Sequence, residues 1–280
     1  MSDRMKELDL AFVGCGVMAE SMIAGLLRER IVRPENIVAS HPRENRRREL
    51  SEKYAIKTFE SNAEAVGKTV GKENSAIVIC VKPQRLQRVT NDLTGLVPEG
   101  SLALSIVAGA TIEHLSAALG TKKVVRAMPN TPSQIGAGIT AWTCTDMVSE
   151  AERLHIRDLL SALGKELYVE TENMIDMATS LSATGPTYIF MVMEALTDAG
   201  VHLGFSREMA KELVQETMLG SVKFAIESNK HPAELRNMVT SPGGTSAEAI
   251  YQMEKGTLRT VLSKAVYAAY KRAVSLGHGR

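Results

Sequence analysis

The sequence predicts an α/β protein in two parts: a doubly wound parallel sheet over residues 1–170 and an all-helical region over residues 171–280. Three observations carry this. Short β-rich runs alternate with helical periodicity through the first half, a glycine-rich turn joins the first run to the first helix, and strand-like runs stop near Thr171. A βαβα rhythm makes the strands parallel, because each returning strand needs a crossover helix.

Residues 8–13, 37–40, 76–81, 102–107 and 123–127 read as buried strands, apolar enough to be covered on both faces. Between them, residues 19–30, 44–54, 84–93 and 112–119 carry helical periodicity. Residues 139–144 and 167–169, either side of a helix over 149–163, extend the sheet. In the second part, Pro186 opens a long helix ending near Gly204, Ser206 caps another that runs to about Ser228, and a last helix starts at Gly256 or Thr257 and reaches Ala273. Phe190, Met191, Met193 and Leu196, then Met218, Val222, Phe224 and Ile226, make these helices apolar over much of their circumference. Either an ordinary helical core or a second subunit would cover them.

Composition narrows the function classes. The 280 residues carry a formal net charge of +1, with 44% hydrophobic and 23% charged residues, so no global field selects nucleic acid or an anionic membrane. Arg46-Arg47-Arg48 is the only tight basic cluster. No apolar run reaches membrane-spanning length, and the charged N-terminus lacks the apolar core of a signal peptide. Cys15, Cys80 and Cys144 are odd in number and widely spaced, which fits neither a disulfide framework nor a metal site. The expectation is a reduced, cytoplasmic protein with no metal and no nucleic-acid or membrane partner.

Two segments carry chemistry. Gly14-Cys15-Gly16-Val17-Met18-Ala19 follows the first strand and opens the first helix, matching the G-x-G-x-x-A dinucleotide turn. Gly14 permits the tight turn, Gly16 lets backbone approach a pyrophosphate, and Ala19 lets helix and strand pack closely. The second strand ends Val38-Ala39-Ser40-His41-Pro42-Arg43 without the acid that binds an NAD ribose; Glu35 precedes it. Ser40, Arg43 and Arg46 suit a 2′-phosphate instead, so NADPH is expected ahead of NADH. Val81-Lys82-Pro83, Val107-Ala108-Gly109 and Met128-Pro129-Asn130-Thr131-Pro132 fall at the same carboxyl edge of the sheet, where such folds bind ligands. Lys82 reads more readily as a solvated or capping lysine than as a base.

The second segment is Thr240-Ser241-Pro242-Gly243-Gly244-Thr245-Ser246, just before the apolar-periodic run 247–253. It delivers free backbone N–H groups to a helix start, where partial positive charge collects and a small carboxylate or phosphate is welcome.

With Val81-Lys82-Pro83, Arg126-Ala127-Met128-Pro129-Asn130-Thr131-Pro132 and Ala195-Leu196-Thr197-Asp198-Ala199-Gly200-Val201 added to these two segments, the chain closely resembles the pyrroline-5-carboxylate reductase family over nearly its whole length. The resemblance implies a Rossmann dinucleotide-binding domain over 1–170 and an all-α substrate and dimerisation domain over 171–280, assembled as a homodimer or higher homo-oligomer. The implied reaction is NAD(P)H-dependent reduction of 1-pyrroline-5-carboxylate to L-proline. Gly14, Cys15, Gly16, Val17, Met18, Ser40, Asn62, Val81, Lys82, Pro83 and Ala108 would contact the cofactor, joined by Arg43 from the strand argument. Gly244, Thr245 and Ser246 would hold the substrate, with Glu172 near it, and Thr245 and Ser246 are the candidate catalytic residues. Ser246 can hydrogen-bond the ring nitrogen.

Two positions depart from the family pattern. Ser182-Ala183-Thr184-Gly185-Pro186 stands where the family has Ser-Gly-Ser-Gly-Pro, and Ser246 where a Thr is usual. They keep two alternatives in view: an imine reductase with another substrate, and a catalytically weak nucleotide-binding paralogue. A hydroxyacid dehydrogenase is disfavoured, because the position of its usual lysine, four residues after Gly185, holds Ile189, and no Lys occurs between Pro186 and Ala210.

Overall fold

The computed structural model describes residues 8–72 and 74–277. Its strands are β1 (Asp9–Val13), β2 (Ile37–Ser40), β3 (Lys57–Phe59), β4 (Ser75–Ile79), β5 (Leu102–Ser105), β6 (Lys123–Met128), β7 (Gly138–Cys144) and β8 (Gly164–Tyr168). They form one sheet in the order β3-β2-β1-β4-β5-β6-β7-β8. All neighbours are parallel except β6 and β7. The strands after β6 extend the sheet as expected, and β7 runs antiparallel to β6 because the link from Met128 to Gly138 holds only a short 3₁₀ turn, Thr131–Ile135, too little chain for a crossover helix.

The first six helices are α1 (Val17–Arg28), α2 (Glu44–Tyr54), α3 (Asn62–Gly67), α4 (Leu86–Leu93), α5 (Ile112–Leu119) and α6 (Glu150–Ser161). They cover both faces of the sheet. Along β1, Leu10 and Phe12 face the cluster made with Met22, Ile23 and Leu26 of α1 and Leu159 and Leu160 of α6. Ala11 and Val13 face the opposite cluster, with Val66, Val89, Leu93 and Leu115. Helix starts are fixed by local chemistry. Thr111 accepts the His114 N–H before α5, and Ser149 and Glu152 form a reciprocal capping box before α6.

Strand register places the functional turns on one edge. Val13 pairs with both Ser40 and Ile79, and Ile79 pairs with Ser105, so the turns after β1, β2, β4 and β5 leave the sheet side by side.

Next come α7 (Asn173–Ala178) and a π-helical stretch, Thr179–Ala183. The Thr184 N–H donates to the Thr179 carbonyl, and so does the Thr184 hydroxyl, both at 2.9 Å. The departure from the family's Ser-Gly-Ser-Gly-Pro run therefore falls where helical winding widens, a feature often found near functional sites. The remaining helices are α8 (Gly185–His202), α9 (Arg207–Ser228), α10 (Pro232–Met238), α11 (Thr245–Lys255) and α12 (Leu258–Gly277).

Contacts divide the chain into two compact units. One comprises the described residues of Met1–Thr184 and Ala269–Arg280, the other Gly185–Ala268. In the second unit α8 and α9 form a hairpin. A Cβ at Gly200 would lie 2.9 Å from the Ala210 Cβ, so the two helices cross closely there, and Arg207 pairs with Asp198 at 2.9 Å.

Candidate active site

The first part of the candidate site is the turn from β1 into α1. Gly14 adopts φ +83°, and a Cβ there would sit 2.2 Å from Val81 Cγ1, so the turn accepts only glycine. Gly16, which caps α1, has nothing within 4 Å of a Cβ position. That open backbone at a helix start is the cradle a pyrophosphate needs, and the residues present fit a dinucleotide.

Ser40 stands behind this turn with no exposed surface. Its hydroxyl donates to Asn62 Oδ1 at 2.7 Å and its Oγ accepts the Gly14 N–H at 3.4 Å, while the Cys15 N–H donates to the Ser40 carbonyl at 3.0 Å. Asn62 in turn donates to Asp92 at 3.1 Å. Ser40 and Asn62 thus brace the turn from within the fold. Val17 is exposed at its mouth, Met18 is half-buried, and Cys15 is buried, where desolvation pushes its thiol up to about 12.

The basic residues after β2 divide their duties. Arg43 is exposed at the start of α2. Arg47 donates to the His41 and Pro42 carbonyls and pairs with Glu60. Arg46 turns inward, bonded to Glu20, to Glu49 at 2.9 Å and to the Cys15 carbonyl at 3.4 Å. The expectation that Arg46 faces a 2′-phosphate is corrected: its guanidinium is spent tying α2 to α1. Burial pushes Glu20 upward, but hydrogen bonds from Lys53, Arg46 and Tyr54 outweigh it and hold the carboxyl at about 2.

Lys82 is exposed and starts the 3₁₀ turn Pro83–Arg85; Val81 and Pro83 are half-buried beside it. Ala108 is half-buried in the turn after β5. Glu172 lies at the start of α7, where its Oε1 accepts the Ile112 N–H at 2.7 Å and Arg126 Nη1 at 2.8 Å. In the sequence, Arg126 opens the motif Arg126-Ala127-Met128-Pro129-Asn130-Thr131-Pro132. A charged residue inside the apolar run Val124-Val125-Arg126-Ala127-Met128 is the signal that a buried ion pair awaits it.

Within the second unit, a separate candidate element is the turn into α11. Gly243 adopts φ +70°, and Gly244 caps the helix in an extended conformation with no side chain closing it. A Cβ at Gly244 would lie 2.5 Å from Ser241 Oγ and 3.2 Å from the Ser241 carbonyl oxygen, so a larger residue would have to displace the Ser241 side chain. Helical bonding begins only with the Ala247 and Glu248 N–H groups, both donated to the Gly244 carbonyl. Among the described residues the Thr245 and Ser246 N–H groups have no acceptor, which makes this helix start an anion cradle. Thr245 is exposed and Ser246 half-buried.

The chain is 36% identical over 270 residues to pyrroline-5-carboxylate reductase of Synechocystis, covering 96% of this chain and 98% of that one. The chain belongs to the pyrroline-5-carboxylate reductase family. The Pseudomonas aeruginosa reductase is 39% identical over 268 residues, covering 95% and 96%. Residues 172–276 match the family profile described as pyrroline-5-carboxylate reductase dimerisation, and residues 9–109 match NADP oxidoreductase, coenzyme F420-dependent. The solved structure of Plasmodium falciparum pyrroline carboxylate reductase with NADP bound superimposes with a TM-score of 0.87 at 29% identity, covering 98% of this chain and 99% of that one. The protein is thus an oxidoreductase with a nicotinamide-cofactor fold, and its helical region is of a type that assembles with another copy. Among the described residues no helix is long and apolar enough to cross a membrane.

Proposed function

We propose that this protein reduces 1-pyrroline-5-carboxylate to L-proline with NADPH, as a homodimer in the cytoplasm. Residues 1–170 bind the dinucleotide, and residues 171–280 bind substrate and the second subunit. The observation that carries the reading is the pair of unpartnered N–H groups at Thr245 and Ser246, in a chain that also keeps the dinucleotide turn.

The Gly244–Ser246 backbone binds the substrate carboxylate. The Ser246 hydroxyl hydrogen-bonds the ring nitrogen and orients the imine, and Thr245 completes the wall of that turn. The cofactor supplies the hydride that the imine carbon receives. Gly14, Gly16 and the first turn of α1 hold its diphosphate, Val81, Lys82, Pro83 and Ala108 line the edge beside it, and Arg43 meets the 2′-phosphate. Rate then comes mostly from alignment of two planar rings rather than from a strong acid or base.

The test follows NADPH and NADH oxidation with and without 1-pyrroline-5-carboxylate. Turnover favouring NADPH supports both parts of the reading. Arg43→Ala is expected to lower the NADPH-over-NADH preference by roughly 10-fold, the worth of one charge-assisted hydrogen bond. Turnover favouring NADH in the wild type overturns the cofactor choice, and binding of nucleotide without turnover overturns the reaction.

A further inference from the structure

Residues 106–111, which join β5 to α5 and include Ala108, are held from two sides, by Glu172 with Arg126 and by the end of α12. At the far end of the turn, the Ile112 N–H donates to Glu172 Oε1 at 2.7 Å. That oxygen is fixed in turn by Arg126 Nη1 at 2.8 Å, while Arg126 Nη2 donates to Asp176 Oδ1 at 2.5 Å. Arg126 is 1% exposed, on the strand next to β5 and paired in register with Ser105. Its Nε has no partner among the described residues, so the two carboxylates alone set the guanidinium's orientation. A buried cation between two acids has little freedom to move, because parting from either leaves an uncompensated charge.

At the apex, Gly109 adopts φ +74° and meets the end of α12. A Cβ there would lie 2.7 Å from the Leu276 Cβ and 2.8 Å from the Gly277 nitrogen. The contact is reciprocal: a Cβ at Gly277 would lie 2.8 Å from the Gly109 carbonyl oxygen. This end of α12 belongs to the first unit and is anchored there by buried Ala273 and by Tyr270, whose hydroxyl donates to Asn173 Oδ1 at 3.0 Å. Asn173 follows Glu172 directly, so both holds on the turn start from the first residues of α7.

We propose that this two-sided hold is a positioning device for hydride transfer: Arg126, Glu172 and the last turn of α12 set the Ala108 backbone against the nicotinamide half of the cofactor. The inference rests on the assignment of Ala108 to the cofactor site. Glu172 then acts through Ile112 rather than on substrate, and none of these groups is a catalytic residue.

Two substitutions loosen the two sides separately. Ile112→Pro removes the backbone N–H that Glu172 accepts and leaves its bond to Arg126; it sits at the first position of α5, where proline is tolerated, and Thr111 already has φ −74°, ψ 153°, as a residue before proline requires. Gly277→Val pushes the end of α12 off Gly109. Each is measured for kcat, substrate KM, and affinity for NADPH and for 2′-phospho-ADP-ribose, which lacks the nicotinamide ring. The expected result is a kcat lower by roughly 10-fold with KM little changed, and weaker NADPH binding with the fragment's affinity unchanged. Folded variants that keep the wild-type kcat, or that lose both nucleotides equally, overturn the proposal. If one variant fails to fold, the other decides. Absence of turnover in the wild type overturns the reductase reading instead, and the comparison of the two nucleotides still judges the hold.

Discussion

The two units of this chain reach stability by different routes. In the first, Leu10, Ala11, Phe12 and Val13 of β1 are all fully buried, and helices seal both faces of the sheet. In the second, Ala210 is the only buried residue among those described, while Phe190, Phe224 and Ile226 each leave half or more of their surface exposed. A helical set with so much apolar surface has not completed its core within one chain, and an obligate interface resembles a core cut in half. The difference teaches that the sheet is sealed by its own helices, whereas the second unit, which matches a dimerisation profile, leaves its apolar surface uncovered within one chain.

The largest effect should come from testing that difference directly. On an isolated monomer, Phe224→Asp is a surface change within about 0.5 kcal/mol of neutral. In a dimer it places a charge in a desolvated interface, and dissociation is expected to become easier by about 2 kcal/mol or more. Analytical ultracentrifugation over a dilution series reads the outcome, and an unchanged assembly would sink the idea. The converse substitution sharpens the comparison. Leu26→Ala in α1 empties part of a sealed core and is expected to cost about 2–5 kcal/mol in urea unfolding of the first unit, with the assembly intact below the transition.

A smaller effect is expected behind the dinucleotide turn. Ser40→Ala removes the hydroxyl shared by Asn62 and Gly14 and leaves the half-buried Asn62 amide oxygen short of a donor, at about 1 kcal/mol. Because the brace holds the turn rather than the ligand, NADPH and NADH affinities should fall together. A loss confined to NADPH would instead place Ser40 on the 2′-phosphate.

The strongly patterned parts of this fold were legible in the sequence, since continuous Val, Ile and Leu runs leave little choice but buried parallel strands. The helix over Glu44–Tyr54 and the one over Ile112–Leu119 fall where periodicity placed them. What escaped was short or electrostatic. β3 spans only Lys57–Phe59, and α7 and α10 are too brief to show a period. The inward turn of Arg46 was hidden because its partner Glu20 lies 26 residues away, on another helix. Gly14 announced its turn because a left-handed backbone has few other solutions. The close approach of Gly109 and Gly277 stayed hidden, because each packs against the other across a long stretch of chain.

The smallest effect concerns that hidden network, and pH reveals it. Glu20 accepts from Lys53 at 2.9 Å and Tyr54 at 2.8 Å besides its bond to Arg46, which draws the carboxyl down to about 2 in the folded protein. A carboxyl whose folded value lies below its unfolded one stabilises the native state at pH values above the unfolded value, near 4.3 for a free glutamate. That contribution fades as pH falls through the window between the two and is gone below about 2. Glu20→Gln carries no such charge, so it should be less stable than the wild type by about 1 kcal/mol at neutral pH. The gap should close on acidification through that window. Chemical denaturation at neutral pH and at steps down to pH 2 measures the gap. If it persists at the acid end, Glu20 works by shape and hydrogen bonding rather than by charge. The seam between α1 and α2 would then share the character of the sealed apolar core beneath it, and the first unit would owe none of its stability at neutral pH to this ion pair.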